Sequence, residues 1–238
     1  MSTFHESSSR VVRRSDESGG LTILMVSHYY QPHVGGLEIA VQNLAHSLTQ
    51  AGHKVTLATC ASQGSTAGIR AENKVTVHRI RALNFFDTHF GIPFPIPSPS
   101  IFSRVWREVR TADIVHVHDV FYITSWIAYV CARLQGKPLF LTQHVAIVEH
   151  PSRLVMRLQR AVYAFWGRLI FSYAQRIIVH NATVKQFLTG RADKRKILEL
   201  RNGIDRTLFY PVKDTAEKKA LRKHFNLPER PLALFVVP

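Results

Sequence analysis

The sequence predicts an α/β protein built on a doubly wound, Rossmann-like parallel sheet. Short, continuous apolar runs recur along the chain, as strands buried on both faces require. Helical apolar spacing fills several of the intervals between them. Composition fits a soluble globular protein, with 46% hydrophobic and 20% charged residues in 238.

Taken in order, residues 1–20 mix Ser, Arg, Glu and Asp around no apolar stretch. They lack the pattern of a secretory signal and are expected to form a disordered tail. Ile23-Leu24-Met25-Val26 is the first strand, and the loop after it reads HYYQPHVGGLE. From Leu37, apolar residues fall at Ala40, Val41, Leu44, Ala45, Leu48 and Ala51, which is helical spacing, and Gly52 follows as a stop. Further strand-like runs are Lys54–Thr59, Val75–Ile80, Asp113–His118, Leu139–Thr142, Arg176–His180 and Ile197–Leu200. Helical patterns cover Val120–Gln135, Arg153–Tyr173 and Thr183–Leu188, and Gly136-Lys137-Pro138 closes the first of these. The biased stretch IPFPIPSPS, residues 92–100, suits neither a regular helix nor a central strand. It is expected to be a stiff extended loop, either a groove wall or a rigid connection into a helix around Ile101–Arg110. Near the end, Asp214 and Glu217 form a capping-box-like start to a short helix reaching about Phe225. Leu232–Val237 then has the pattern of a buried strand. These features divide the chain into a tail (1–20), a Rossmann-like domain (21–212), a linker helix (213–231) and a first strand of a further domain (232–238).

Lys and Arg number 31 against 16 Asp and Glu, a formal charge of +15, so an anionic partner is expected. Nucleic acid, an anionic membrane surface and phosphorylated substrates all satisfy that charge. Cys60 and Cys131 have no metal-ligand spacing and suit free thiols in a reducing compartment. The uncharged run Val120–Ala132 is too short to span a bilayer.

Candidate chemistry gathers where strands end. Gly35-Gly36 opens the first helix, whose free N–H groups and dipole favour an anion. Glycine would let a phosphate approach, or the pair makes a tight turn and nothing more. His116 and His118 lie two apart on one strand and share a face, flanked by Asp113 and Asp119. No third ligand follows at a metal-site spacing, so no metal is assigned. His118, at its strand's carboxyl end, is the better candidate for substrate contact, since ligands of such sheets bind outside the carboxyl ends. Thr142-Gln143-His144 ends the next strand, and His28, Tyr29, Tyr30, Gln31 and His33 line the first loop. Together they suit a hydroxylated ligand. The sequence carries no Walker loop, Gly-x-Ser-x-Gly, Gly-x-Gly-x-x-Gly or His-Glu-x-x-His.

Arg153, Arg157, Arg160 and Arg168 recur at helical steps beside Val162, Phe165, Trp166, Leu169, Ile170 and Phe171. Two structures fit: a helix lying on an anionic membrane, or a buried helix with a solvated arginine stripe. No nucleic-acid-binding motif accompanies the basic residues, so nucleic acid is set aside.

The pieces HYYQPHVGGLE, AGHKVTLAT, IPFPIPSP, DIVHVHD, LTQH and RNGIDRTLFYP, in this order over residues 21 to about 212, resemble the N-terminal half of the family-four glycosyltransferases, enzymes of the two-domain GT-B fold. The resemblance implies retaining hexosyl transfer from a nucleotide-diphospho-sugar to a glycan or lipid-linked acceptor. The donor is a co-substrate, and neither cofactor nor metal is implied. Gly35 and Gly36 would approach the donor, and His118 would contact the transferring sugar. His28, Tyr29, His33 and His144 would line the acceptor side. Asn202, Gly203 and Asp205 match a structural turn. A cytoplasmic protein, peripheral on the cytoplasmic membrane face, would use Arg153, Arg157, Arg160, Trp166 and Arg168 there. The chain departs from the family pattern after LALFVVP, where a Gly-Arg loop, a Lys and a Glu-x7-Glu motif would bind the donor. Residues 1–238 alone are therefore expected to transfer sugar poorly, unless a partner chain supplies a donor domain. A non-catalytic module holding a glycan, glycolipid or membrane is the other expectation.

Overall fold

The computed structural model describes residues 19–203, 210–212 and 214–232. Asp205, the residues before 19 and the strand expected beyond Leu232 lie outside the described residues. The chain divides into two units, Met1–Arg201 and Asn202–Pro238.

The first unit begins with β1 (Thr22–Val26), α1 (Gly36–Gln50), β2 (Lys54–Cys60), β3 (Gly68–Glu72) and β4 (Val75–Ile80). A small excursion follows: β5 (Ala82–Leu83), α2 (Phe85–Phe90) and β6 (Ile96–Pro97). The second half runs α3 (Ser100–Thr111), β7 (Ile114–His118), α4 (Ile123–Leu134) and β8 (Leu139–Gln143). It continues with α5 (Arg153–Val162), a wide π turn at Tyr163–Gly167, and α6 (Arg168–Tyr173). Last come β9 (Arg176–Val179), α7 (Ala182–Leu188) and β10 (Ile197–Glu199).

The sheet order is β10-β9-β8-β7-β1-β2-β4-β3, parallel throughout except for β3 against β4. From β1 the chain winds outward through β2 to β4, then returns to pair β7 on the other side of β1. That reversal is the switch point at which doubly wound sheets open a crevice at their carboxyl ends. Alternation within β1 assigns its residues to two cores. Ile23 and Met25 pack with Val41, Ala45, Leu57 and Val77 under α1. Leu24 and Val26 pack with Val115, Val117, Ile101, Ala128 and Phe171 on the opposite face.

Differences from the sequence expectation have local causes. β3, GIRAE, is an edge strand with almost no buried side chain, so no apolar run marks it. The Pro-rich stretch stays extended and gives β6, whose two residues pair only with β5, an edge position that tolerates proline. α4 starts at Ile123, not Val120, because Asp119 takes a left-handed conformation (φ 67°) and turns the chain first. The predicted Arg153–Tyr173 helix is continuous but loosens at its π turn, a feature that often marks functional sites.

In the second unit, α8 (Thr215–His224) is capped by Asp214, whose Oδ1 accepts from the Ala216 amide at 2.9 Å. Asn202 and Gly203 are exposed.

Candidate active site at the β1–β7 edge

Four loops meet at the carboxyl ends of β1, β7, β8 and β9, and each delivers a histidine. After β1, the buried His28 ring stacks on Tyr122, with centroids 3.6 Å apart and planes at 3°. Its Nε2 lies 3.6 Å from Glu38 Oε1, and His33 Nδ1 lies 3.1 Å from the same oxygen, outside hydrogen-bond alignment. The Tyr29 hydroxyl donates to Asn84 Oδ1 at 2.9 Å, and its ring stacks on His33 at 4.4 Å.

Glu38 stands in the first turn of α1 yet is only 3% exposed. It crowds one of the two glycines. Gly35 is extended (φ −169°), a conformation open to any residue, but a Cβ there would stand 2.3 Å from Glu38 Oε2. A Cβ on Gly36 would meet nothing within 4 Å. The chain itself therefore makes no steric demand for glycine at Gly36, and the helix N-terminus is open on that side.

On β7, His116 Nε2 is 2.8 Å from Thr142 Oγ1. His118 Nδ1 is 3.1 Å from His144 Nε2, while its own Nε2 is buried without a partner among the described residues. Burial drives the His118 and His28 pKa values well down. His116 falls to about 4 and His144 to about 3, again mainly by burial. The neighbouring imidazoles His116, His144, His180 and His28 add to the penalty on a charged His118. His28, His116, His118 and His144 are thus neutral at pH 7. In a neutral His118–His144 pair one nitrogen donates and the other accepts, so His118 Nε2 takes whichever role Nδ1 does not. It is a directed hydrogen-bonding atom with no partner among the described residues.

A buried network fixes the loops around it. Asp119 Oδ1 accepts from the Phe121 amide at 3.2 Å and from Gln143 Nε2 at 2.8 Å, and Oδ2 accepts from the Val145 amide at 3.4 Å. Gln143 Nε2 also donates to the Val145 carbonyl at 2.7 Å and lies 3.1 Å from the Tyr163 hydroxyl, carried by the π turn. Burial nevertheless raises the Asp119 carboxyl to about 6. Asp119→Ala leaves these donors unpaired and puts a Cβ-bearing, non-polar residue at φ 67°, so a loss of about 2–4 kcal/mol is expected. Asp119→Asn keeps an acceptor oxygen and tolerates that backbone, and should lose less than half as much. Urea midpoints of the two variants check the order.

The structure thus brings together His28, Tyr29, His33, Gly35, Gly36, His118 and His144 on one edge. Sequence reading missed Glu38, Asn84, Tyr122, Tyr163 and His180; of these only Glu38 carried a signal, as the end of HVGGLE. The arginine stripe lies elsewhere: Arg153, Arg157, Arg160 and Arg168 are exposed on α5 and α6. Trp166 is half-buried and stacks on Trp126 at 5.0 Å, while Val162, Ile170 and Phe171 are buried. Leu154, Leu158 and Phe165 remain 75%, 56% and 61% exposed. Among the described residues no group of three or more His, Cys, Asp or Glu is arranged to hold a metal, and no helix is long and apolar enough to cross a membrane.

Residues 34–208 match the sequence model of Glycosyltransferase Family 4. The chain belongs to that family. A GDP-mannose:cellobiosyl-diphosphopolyprenol alpha-mannosyltransferase of Xanthomonas oryzae pv. oryzae is 25% identical over 135 residues, 52% of this chain and 31% of the relative. A component of the phosphatidylinositol N-acetylglucosaminyltransferase of Arabidopsis thaliana is 30% identical over 130 residues, 52% of this chain and 27% of the relative. This family member therefore spans less than a third of either relative's length in the matched region. Among solved structures, sucrose-phosphate synthase of Thermosynechococcus elongatus superposes with TM-score 0.56 at 18% identity, over 87% of this chain and 53% of that one. That likeness shows a shared fold, the Rossmann-like half of a GT-B glycosyltransferase.

Proposed function

We propose that the native protein transfers a hexosyl group, with retention of anomeric configuration, from a nucleotide-diphospho-sugar to a lipid-linked acceptor. The described residues would hold the acceptor side. The observation that carries this is the meeting, at the switch point, of an open glycine-headed helix N-terminus with the unpartnered Nε2 of a neutral histidine. The helix end suits a diphosphate, approaching past Gly36 because Gly35 faces the Glu38 carboxylate. His118 suits a sugar hydroxyl: a neutral ring exchanges a hydrogen bond with it and places no charge beside the reacting centre. His28, Tyr29, His33 and His144 would shape the acceptor's place. The lipid-linked class draws support from the two relatives, whose names specify a diphosphopolyprenol and a phosphatidylinositol acceptor.

The membrane surface is the second partner proposed. Leu154, Leu158 and Phe165 recur along one exposed side of the helix beside Arg153, Arg157, Arg160 and Arg168, the arrangement of a helix lying on an anionic, here cytoplasmic, membrane face. Residues 1–238 alone are expected to turn over slowly.

The test is to incubate the native gene product with labelled nucleotide-sugars and a lipid extract from its source cells. Acceptor-dependent release of nucleoside diphosphate, with label entering the lipid phase, is the expected result. Lipid binding with no transfer from any donor would favour a non-catalytic module.

A further inference from the structure

A cavity of about 500 Å³ opens beside α5, the π turn and α6, and no histidine lines it. Ile147, Tyr163 and Phe171 line it, and three arginines, Arg160, Arg168 and Arg191, converge on it; no Asp or Glu contributes to its wall. The guanidinium groups of Arg160 and Arg168 have no hydrogen-bond or ion-pair partner among the described residues. Arg191 is held in place: one Nη donates to the Phe187 carbonyl at 2.6 Å, and the guanidinium lies 4.4 Å from the Phe187 ring. Its remaining N–H groups are free to donate elsewhere.

Three like charges around one concavity repel each other, and nothing in the wall offsets them. A bound oxyanion would, and guanidinium groups present planar forks that match phosphoryl oxygens in pairs. The volume exceeds a bare phosphate and lies in the range of small-molecule pockets. We infer that this cavity binds a phosphoryl group, that of an anionic phospholipid headgroup. The choice of lipid rests on the membrane contact proposed above. Leu154, Leu158 and Phe165 are exposed on the side of the helix adjoining the arginines, where acyl chains would lie if the headgroup entered the cavity. The site requires no transfer activity. Tyr163 links it to the transfer edge, because the ring that lines the cavity carries the hydroxyl that bonds near Gln143 and Val145.

The experiment uses the whole 238-residue chain in two arms: calorimetric titration with glycerol 3-phosphate, and co-sedimentation with phosphatidylcholine vesicles with and without phosphatidylglycerol. Arg160→Gln, Arg168→Gln and Arg191→Gln are each expected to weaken both interactions about tenfold or more, as loss of a charge-assisted hydrogen bond does. Arg153→Gln and Arg157→Gln, on the same helix but outside the cavity, should lower vesicle binding by no more than the roughly fivefold worth of one surface charge. Circular dichroism confirms that each variant is folded. Equal losses at all five positions would overturn the cavity while leaving membrane contact standing. Glycerol 3-phosphate binding that depends on the three cavity arginines, without vesicle binding, would keep the phosphoryl site and remove the membrane. Binding in neither arm would remove both.

Discussion

Between pH 7 and pH 5 the protein is expected to lose most of its resistance to urea. His28, His116, His118 and His144 are held neutral by burial, with pKa values of about 4 at His116 and about 3 at His144 and well-lowered values at the other two. An unfolded imidazole takes up its proton below about 6.5, whereas these folded rings do not. Over that window the unfolded state binds more protons, so stability is complete above about pH 6.5 and falls as the pH drops. Each ring costs about 2 kcal/mol at pH 5, and four approach the whole stability of an ordinary domain. Asp119 acts with the opposite sign: its carboxyl is raised from 3.8 to about 6, so protonation as pH falls through 6 favours the folded state. One group returns only about 1–2 kcal/mol at pH 5, and the histidines prevail. His144→Gln, neutral at every pH, should flatten the dependence by about one proton. An unchanged urea midpoint between pH 7 and 5 would refute the buried neutral cluster.

Replacing His118 by alanine should reduce sugar transfer by the native gene product roughly a hundred- to a thousandfold, the effect of deleting one directed hydrogen bond at a reacting centre. The loss should fall on kcat more than on KM, because the contact is proposed at the transferring sugar. Removing the ring also frees His144 Nε2 from its 3.1 Å partner, so melting curves must accompany the kinetics. His118→Asn, which restores a donor and an acceptor, should recover part of the rate. A variant that melts like the wild type and transfers at full rate would remove His118 from the site.

The sheet was legible because its strands are buried on both faces. Leu24-Met25-Val26 serve two cores at once, and such strands leave continuous apolar runs. β3 left none, since an edge strand with exposed side chains differs little from a loop. The juxtaposition of His118 and His144 was legible too, because strand ends carrying them must share an edge in a parallel sheet. Their protonation was not. That depends on the stacking of His28 on Tyr122 and on Asp119 meeting Gln143, contacts between residues 24 or more positions apart. The crowding at Gly35 was also hidden, because the atom that a Cβ there would meet belongs to the side chain of Glu38. The same limit applies to the helix at 153–173, where spacing marks the arginines but only packing shows Trp166 turned onto Trp126 while Phe165 stays in solvent.

The most direct test is to follow the backbone amides and imidazole nitrogens by NMR while a nucleotide-sugar and a lipid-linked sugar analogue are added to residues 1–238. The Gly35 and Gly36 amides should shift with the nucleotide-sugar, and His118 Nε2 and His144 with the sugar analogue, while His46 and His53 on the far part of α1 and its exit stay still. Saturable shifts gathered elsewhere, with Gly36 and His118 unmoved, would contradict a transfer site at the β1–β7 edge.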